Sequence, residues 1–149
     1  MRLYLDLCVY NRPFDDQGQP RIALEANAFI YVLEMVEQHE CALVASEAIV
    51  YENSRNPDED RRERIRSYLR LANECIEMED SDMGRANFLK GIGFSLMDAL
   101  HIAIAERGEV DYFVTCDDDI VSNSERHRDI MKVRIVSLME FVAKGGKEE

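Results

Sequence analysis

The stretch that decides the fold runs from residue 97 to residue 119 and reads MDALHIAIAERGEVDYFVTCDDD. Its first eleven residues are mostly apolar helix formers, which predicts a helix that ends at Gly108. Residues 112–115 then form a short apolar run of the kind that makes a buried strand. Asp98 lies in the first turn of this helix, and three consecutive aspartates at 117–119 follow the strand. The arrangement therefore predicts a helix and a strand that each carry carboxylates at one end.

Short apolar runs alternate with helical segments over the rest of the chain. The further predicted strands are Leu3–Leu5, Cys41–Ala45 and Val133–Val136. A helix is predicted over 21–38 from apolar residues at helical spacing, and Ser46 is placed to cap another that runs to about Ser54. Strands that alternate with helices indicate a parallel sheet. The sequence therefore predicts a single α/β domain, with a parallel sheet flanked by helices in three layers.

Several segments carry weaker signals. Asn56, Pro57 and Glu59 predict the start of a helix, which apolar spacing then extends to residue 76. The remaining expectations are a loop over 11–20, a short helix over 82–90 ending at Gly91, a turn at 91–93, and a polar loop over 122–129. The domain is expected to span 1–144, with a disordered tail over 145–149.

Composition excludes several classes of protein. A chain of 149 residues is long enough for one core that buries roughly two-thirds of the surface exposed when unfolded. Its 18 basic and 30 acidic side chains give a net charge of -12, which repels a polyanion unless bound cations or a local basic surface reverse the field. The four cysteines contain no C-x-x-C pair, which argues against a zinc module and favours a reducing cytoplasm. No apolar run approaches the length of a membrane span.

Acidic side chains fall where a parallel sheet would gather them. In open parallel sheets the ligand crevice lies at the carboxyl ends of the strands, and Asp6 and Asp117 each follow a predicted strand. Chain geometry also allows Glu52 and Asp98 to reach this crevice, although Glu47 lies closer to its strand and rivals Glu52. Crowded carboxylates raise one another's pKa unless a cation neutralises them, and Mg²⁺ and Mn²⁺ prefer oxygen ligands. The pattern predicts a divalent-metal site that can activate water against a phosphodiester.

Four short motifs, in order along nearly the whole chain, carry a family resemblance. They are LDLCV at 5–9, Ser46 followed by Glu52, DALHIA at 98–103 and FVTCDDD at 113–119. Together they resemble the PIN-domain nucleases, the family of the VapC toxins. By that resemblance the catalytic, metal-holding quartet would be Asp6, Glu52, Asp98 and Asp117, with Asp119 as a fifth metal ligand and Thr115 as a polar support near the substrate. The resemblance also implies Mg²⁺- or Mn²⁺-dependent cleavage of RNA, an antitoxin partner and a homodimer.

Each of these residues also has a purely structural interpretation. A helix dipole favours Asp98, a solvated turn explains Asp117, and Glu52 can pair with a nearby arginine on a helix surface. Asp6 is harder to explain this way, because a carboxylate inside an apolar run is costly to desolvate. His101, one helical step from Asp98, can support the site, but a buried and hydrogen-bonded histidine is the favoured interpretation.

Two other functions stay open. Leu7 and Cys8 stand where the family usually has Thr or Ser followed by Asn or Ser, so a non-catalytic module that keeps the fold and binds metal or RNA is an alternative. A small-molecule phosphohydrolase is a weaker alternative, since no D-x-D motif follows the first strand. The family fold also brings Cys8 close to Cys116, where packing is favoured over a redox role.

Two basic features are candidates for contact with RNA phosphates. Residues 55–70 hold six arginines and four acids, and a phosphate backbone could approach over this helix. A solvated helix face with internal ion pairs explains the same pattern and is slightly favoured. Arg12 lies nearer the predicted crevice and is the better single candidate for phosphate contact, unless it pairs with Asp15 or Asp16.

Overall fold

A computed structural model of the chain describes residues 1–144, so the tail expected over 145–149 lies outside the described residues. The strands are β1 (Arg2–Leu5), β2 (Ala42–Ser46), β3 (Glu74–Ile76), β4 (Tyr112–Thr115) and β5 (Arg134–Ser137). The helices are α1 (Leu7–Asn11), α2 (Pro20–Glu37), α3 (Glu47–Ser54), α4 (Glu59–Leu69), α5 (Asp80–Gly91), α6 (Leu96–Arg107), α7 (Asp118–Arg126) and α8 (Leu138–Ala143), with a 3₁₀ turn at Arg12–Phe14.

The five strands form one parallel sheet in the order β3-β2-β1-β4-β5. Leu3 of the central strand lies opposite Leu43 in β2 and Tyr112 in β4. The chain runs outward from β1 to β3 and then returns to add β4 and β5 on the other side. The strand order therefore reverses between β1 and β4, and ligands of such sheets bind at this switch point. Asp6 follows β1 and Asp117 follows β4 at the same edge of the sheet.

Alternation along the strands divides the core between the two faces of the sheet. Leu3 and Leu5 pack with α1, α2, α4 and α8 on one face. Tyr4 packs with α3, α5, α6 and α7 on the other. Helices thus cover both faces, which explains why residues 3–5 of the central strand are apolar and buried. The predicted single-domain, three-layer α/β architecture is confirmed.

Local signals placed several elements correctly. Ser46 caps α3, because its Oγ accepts a hydrogen bond of 3.2 Å from the backbone N–H of Ile49. The organising helix α6 ends at Gly108, and β4 has the predicted bounds. Gly93 forms part of the predicted turn with φ of 116°. Among residues 1–144, none of the helices combines the length and apolar character that crossing a bilayer requires.

The segment from 56 to 76 differs from the prediction. Helix α4 is capped by Asp58, whose carboxylate accepts from the backbone N–H of Arg61, and not by Asn56. The helix ends at Leu69, and Ile76 belongs to β3, not to the helix that the apolar spacing extended to it. Cys75 of β3 lies opposite Ala45 of β2. Pairing with a distant strand overrides the local helical spacing here.

The polar segment after β4 is also helical where a loop was predicted. Helix α7 runs to Arg126 and buries Ile120, Asn123 and Ser124. Because two of these three buried residues are polar, the sequence lacks the apolar period that marks a packed helix. The short helices α1 and α8 were not predicted either, and five and six residues are too few to show a clear period.

Candidate metal centre

Asp6 is the buried carboxylate at the switch point, with only 6% of its surface exposed. Its Oδ1 caps α1 by accepting a 2.8 Å hydrogen bond from the backbone N–H of Leu7. Its Oδ2 accepts from the hydroxyl of Thr115 at 2.9 Å and from the thiol of Cys8 at 3.4 Å. Burial raises the pKa of Asp6, whereas His101 and these side-chain hydrogen bonds oppose the increase. The carboxylate is therefore fixed in orientation but remains costly to keep charged.

Asp6 differs from the other buried carboxylates in its partners. Glu25 pairs with Arg12, Asp82 with Arg107 and Glu106 with Arg85, each at 2.8–2.9 Å. No lysine or arginine forms a salt bridge with Asp6, Glu52, Asp98 or Asp117 within residues 1–144. Since buried charges are normally paired or bound to metal, the fold leaves this one set of acids available for a cation.

Glu52 is held by a chain of buried side chains. Its Oε1 lies 2.9 Å from Nε2 of His101, and Nδ1 of the same ring lies 2.8 Å from the hydroxyl of Tyr4. That hydroxyl lies 2.6 Å from Oγ of Ser46. His101, Tyr4 and Ser46 are all fully buried. The chain links the end of β2, the centre of β1 and helix α6 to one carboxylate.

One arrangement of protons satisfies every hydrogen bond in the series from Ser46 to Glu52. The Ser46 oxygen already accepts from the backbone of Ile49, so its hydroxyl hydrogen is free to donate to Tyr4. Tyr4 then donates to Nδ1 of His101, and the Nε2–H of His101 donates to the Glu52 carboxylate. Because both ring nitrogens are used, His101 acts as a support that orients Glu52. The favoured interpretation of His101 as a buried, hydrogen-bonded histidine agrees with the structure.

Asp98 lies half-buried in the first turn of α6, where Ser95 caps the helix by accepting from the Asp98 backbone N–H at 3.2 Å. Burial is the largest cause that raises the pKa of Asp98, and the charges of Asp6 and Asp117 raise it further. Asp117 is exposed and caps α7 by accepting from the backbone N–H of Asp119 at 2.9 Å. The mutual repulsion ties Asp98 electrostatically to both strand-end carboxylates.

Asp6, Glu52 and His101 form a group of possible metal ligands whose donor atoms lie within 4.8 Å of one another. The structure thus brings Asp6 and Glu52 together directly, whereas Asp98 and Asp117 are not members of this group. Sequence reasoning placed His101 near the site but not in this group, and its position one turn after Asp98 was the only signal. Glu47, the rival of Glu52, instead accepts from the backbone of Met78 at 2.9 Å.

A cleft of about 400 Å³ opens beside Asp117. Arg12 lines it, but its guanidinium also pairs with Asp15 at 2.8 Å and with Glu25 at 2.9 Å. The pairing with Asp15 is the alternative that the sequence left open. Arg21 lines the same cleft, with Nη1 2.8 Å from Asp118. Sequence reasoning missed Arg21, because it reads as an ordinary residue of a helix N-terminus.

Several arginines of α4 form ion pairs within the protein. Arg61 pairs with Asp15 at 2.9 Å, Arg64 with Asp60 at 3.1 Å and Arg66 with its neighbour Glu63 at 3.5 Å. These contacts support the interpretation of residues 55–70 as an ion-paired helix face.

Cys8 and Cys116 are neighbours, as the family resemblance implied. The backbone N–H of Cys116 donates to Sγ of Cys8 at 3.3 Å, and both cysteines are free thiols. A hydrogen bond with Cys116, burial and the charge of Asp6 together raise the pKa of the Cys8 thiol. Cys8 therefore stays protonated and acts as a donor to Asp6.

The parallel five-stranded sheet and the helices on both of its faces form a three-layer α/β fold with acids at the carboxyl ends of its strands. No protein-family model matches the sequence, and no curated protein matches it. The structure is similar to VapBC2 from Rickettsia felis, crystallised bound to a DNA fragment from their promoter, with a TM-score of 0.56 and 13% identity over 92% of this chain and 98% of that chain. It is also similar to FitAcB from Neisseria gonorrhoeae, with a TM-score of 0.57, 13% identity and the same coverage. At this identity the likeness shows the fold.

Proposed function

We propose that this protein is an Mg²⁺- or Mn²⁺-dependent endoribonuclease in which Asp6, Glu52, Asp98 and Asp117 hold the metal and carry catalysis. The observation that carries the proposal is Asp6, a buried carboxylate at the switch point that has hydrogen-bond donors but no lysine or arginine partner within residues 1–144. Such a group is costly to maintain in a structural role and well suited to a metal ion.

The donor set fits a hard divalent ion. The four acids offer only carboxylate oxygens, which Mg²⁺ and Mn²⁺ prefer. Oε2 of Glu52 makes no hydrogen bond within residues 1–144, while its Oε1 is held by His101. Burial and the charges of Asp6 and Asp117 raise the pKa of Asp98, and a cation bound beside it would lower that pKa. The exposed Asp119 remains the candidate fifth ligand.

Neighbouring side chains orient the carboxylates that would hold the metal. When bound, a divalent ion lowers the pKa of a coordinated water and neutralises charge on a phosphoryl oxygen. Thr115 fixes the orientation of Asp6, and His101 fixes that of Glu52. Arg12 and Arg21 line the cleft beside Asp117, and each would exchange a carboxylate partner for a phosphate of RNA on binding.

The non-catalytic alternative loses its main support in the contacts of Asp6. A hydroxyl directly after this aspartate is absent, but the backbone N–H of Leu7, the thiol of Cys8 and the hydroxyl of Thr115 all donate to the carboxylate. These three donors supply the orientation that a Thr or Ser at position 7 would provide. The catalytic proposal is therefore preferred to a module that only binds metal or RNA.

The biological setting follows from the same likeness. The similarity to VapBC2 and FitAcB supports a role as the toxin of a toxin–antitoxin pair, with an antitoxin protein as partner. A homodimer stays a proposal that rests on the family resemblance alone. Four free cysteines support a reducing cytoplasm as its location.

Cleavage of fluorescent RNA and single-stranded DNA by purified protein, with Mn²⁺, Mg²⁺ or EDTA, tests the proposal. Wild-type protein should cut RNA with metal, and both EDTA and the single changes Asp6→Asn and Asp98→Asn should abolish cutting. Asp80→Asn is a matched control, since Asp80 is exposed in the first turn of α5 and belongs neither to the acidic group nor to the cleft. Equal cutting by wild type and both site variants would identify a contaminating nuclease and defeat the proposal.

A further inference from the structure

A second charged feature lies away from the acidic crevice, between α7 and β5. The segment 126–134 contains four Lys or Arg residues and one Asp, in a chain with a net charge of -12. Arg128, Lys132 and Arg134 are exposed, and none of them forms a salt bridge within residues 1–144. The guanidinium of Arg134 lies 5.5 Å from the ring centroid of Tyr112, which holds it against the sheet.

These three side chains, which we call the β5 edge surface, line a cavity of about 350 Å³. The cavity runs along β5, the outermost strand on this side of the sheet, and its floor includes Ile135 and Val136. Glu125 and Glu140 stand on its rim, and Glu140 pairs with Lys144 at 3.3 Å. The cavity is thus lined by three cations that form no salt bridge within residues 1–144 and by two acids, of which Glu140 is already paired.

The cations of the β5 edge surface differ from three arginines of α4 in their ion pairing. Arg61, Arg64 and Arg66 each form a salt bridge with a carboxylate. The cations of the β5 edge surface form no salt bridge within residues 1–144 and are therefore available to bind an anionic ligand. Since the rest of the protein repels polyanions, RNA needs such a local surface to bind at all.

The position of this surface suits a strand that also enters the crevice. Helix α7 begins directly after Asp117 and ends at Arg126, and nine residues of helix span about 14 Å. One RNA strand could therefore lie along α7, with one phosphate at the acids and others at the β5 edge surface. We propose that the β5 edge surface binds the phosphate backbone of single-stranded RNA outside the cleavage site. This inference rests on the proposed action on RNA.

Binding without cleavage tests it. Fluorescence anisotropy of a labelled oligouridylate of about 15 nucleotides, in EDTA over a salt series, compares wild type with Arg128→Ala/Lys132→Ala. The variant should bind severalfold more weakly, and the slope of log K against log salt should fall by about 1.4 for two lost phosphate contacts.

The matched control is Arg70→Ala/Lys90→Ala, which removes the same charge from two exposed cations outside salt bridges and should keep the wild-type slope. Neither Arg128 nor Lys132 makes a side-chain hydrogen bond within residues 1–144, so the fold should tolerate their removal.

Equal slopes for both double variants would overturn the inference. So would a polyglutamate peptide that binds the surface more tightly than RNA, which would assign it to an acidic protein partner. RNA binding that depends on Arg128 and Lys132, in a protein that never cuts RNA with metal, would retain this surface and reject the proposed nuclease activity.

Discussion

Replacement of Tyr4 by phenylalanine removes one oxygen from the centre of the chain that holds Glu52. The Tyr4 ring is stacked on Phe113 at 5.4 Å between centroids, and phenylalanine keeps that packing. Two partners of the lost hydroxyl, Ser46 and His101, are fully buried and would have no replacement from solvent. The change therefore isolates a hydrogen-bonding effect.

The expected cost follows from the partners left behind. A buried donor or acceptor without a partner costs about 1–3 kcal/mol, so Tyr4→Phe should lower the free energy of unfolding by about 2–4 kcal/mol. Tyr10→Phe is the matched control, because Tyr10 is equally buried but its hydroxyl has no hydrogen-bond partner within residues 1–144. Its removal should change stability by no more than about 0.5 kcal/mol, or should stabilise the protein.

Urea denaturation measures both variants, and long-range proton–nitrogen spectra of metal-free protein at alkaline pH report the tautomer of His101. Wild type should show the Nε2–H tautomer, and Tyr4→Phe should shift the ring toward a mixture. Equal stability changes for the two tyrosine variants would refute the reasoning. A wild-type ring protonated on Nδ1 would refute it independently.

Three further predictions concern other parts of the structure. Burial favours a raised pKa for Asp82, but the hydrogen bonds from Arg107 outweigh it, so the pKa of Asp82 is lowered on folding. The pair therefore stabilises the protein above about pH 4 and loses this contribution as the pH falls through the folded pKa. Arg107→Met should therefore cost about 3 kcal/mol near neutral pH and much less in acid, as urea titrations at several pH values would show. Gly84→Ala, in open space on α5, should stabilise by about 0.5–1 kcal/mol, whereas Gly93→Ala should destabilise by at least about 1 kcal/mol because φ is 116°; thermal unfolding that ranks them the other way contradicts this. Asp6→Asn should raise the stability of metal-free protein by about 1 kcal/mol, because the variant buries no charge at this position. It should also abolish the rise in melting temperature that Mn²⁺ causes in the wild type. If Mn²⁺ raises the melting temperature of the variant as much as that of the wild type, the metal centre is contradicted.

The sequence predicted the parts of the site that depend on local signals. Asp6 and Asp117 were placed at strand ends because apolar runs define strands and parallel strands end at one edge of the sheet. Asp98 was placed by the start of its helix, and Ser46 by its role as a cap. Each of these inferences needs only residues a few positions apart, where periodicity and capping act.

The sequence could not predict the elements that depend on distant partners. Strand β3 exists because Asn73 and the residues after it pair with β2, and its own residues favour a helix as much as a strand. Helix α7 buries Asn123 and Ser124 as well as Ile120, so its buried face carries no apolar pattern. In both cases contacts made only in the folded protein outweigh the local preference.

By itself, the sequence determined a parallel α/β domain with acids at the carboxyl ends of its strands, because strand periodicity, helix caps and strand-end aspartates are local properties. Only the tertiary structure decided which acids stay unpaired, since arginines from other elements reach Glu25, Asp82 and Glu106 but not Asp6. It also decided how Glu52 is held, because Tyr4 and His101 are 97 positions apart in the chain and meet only when the sheet and α6 pack together.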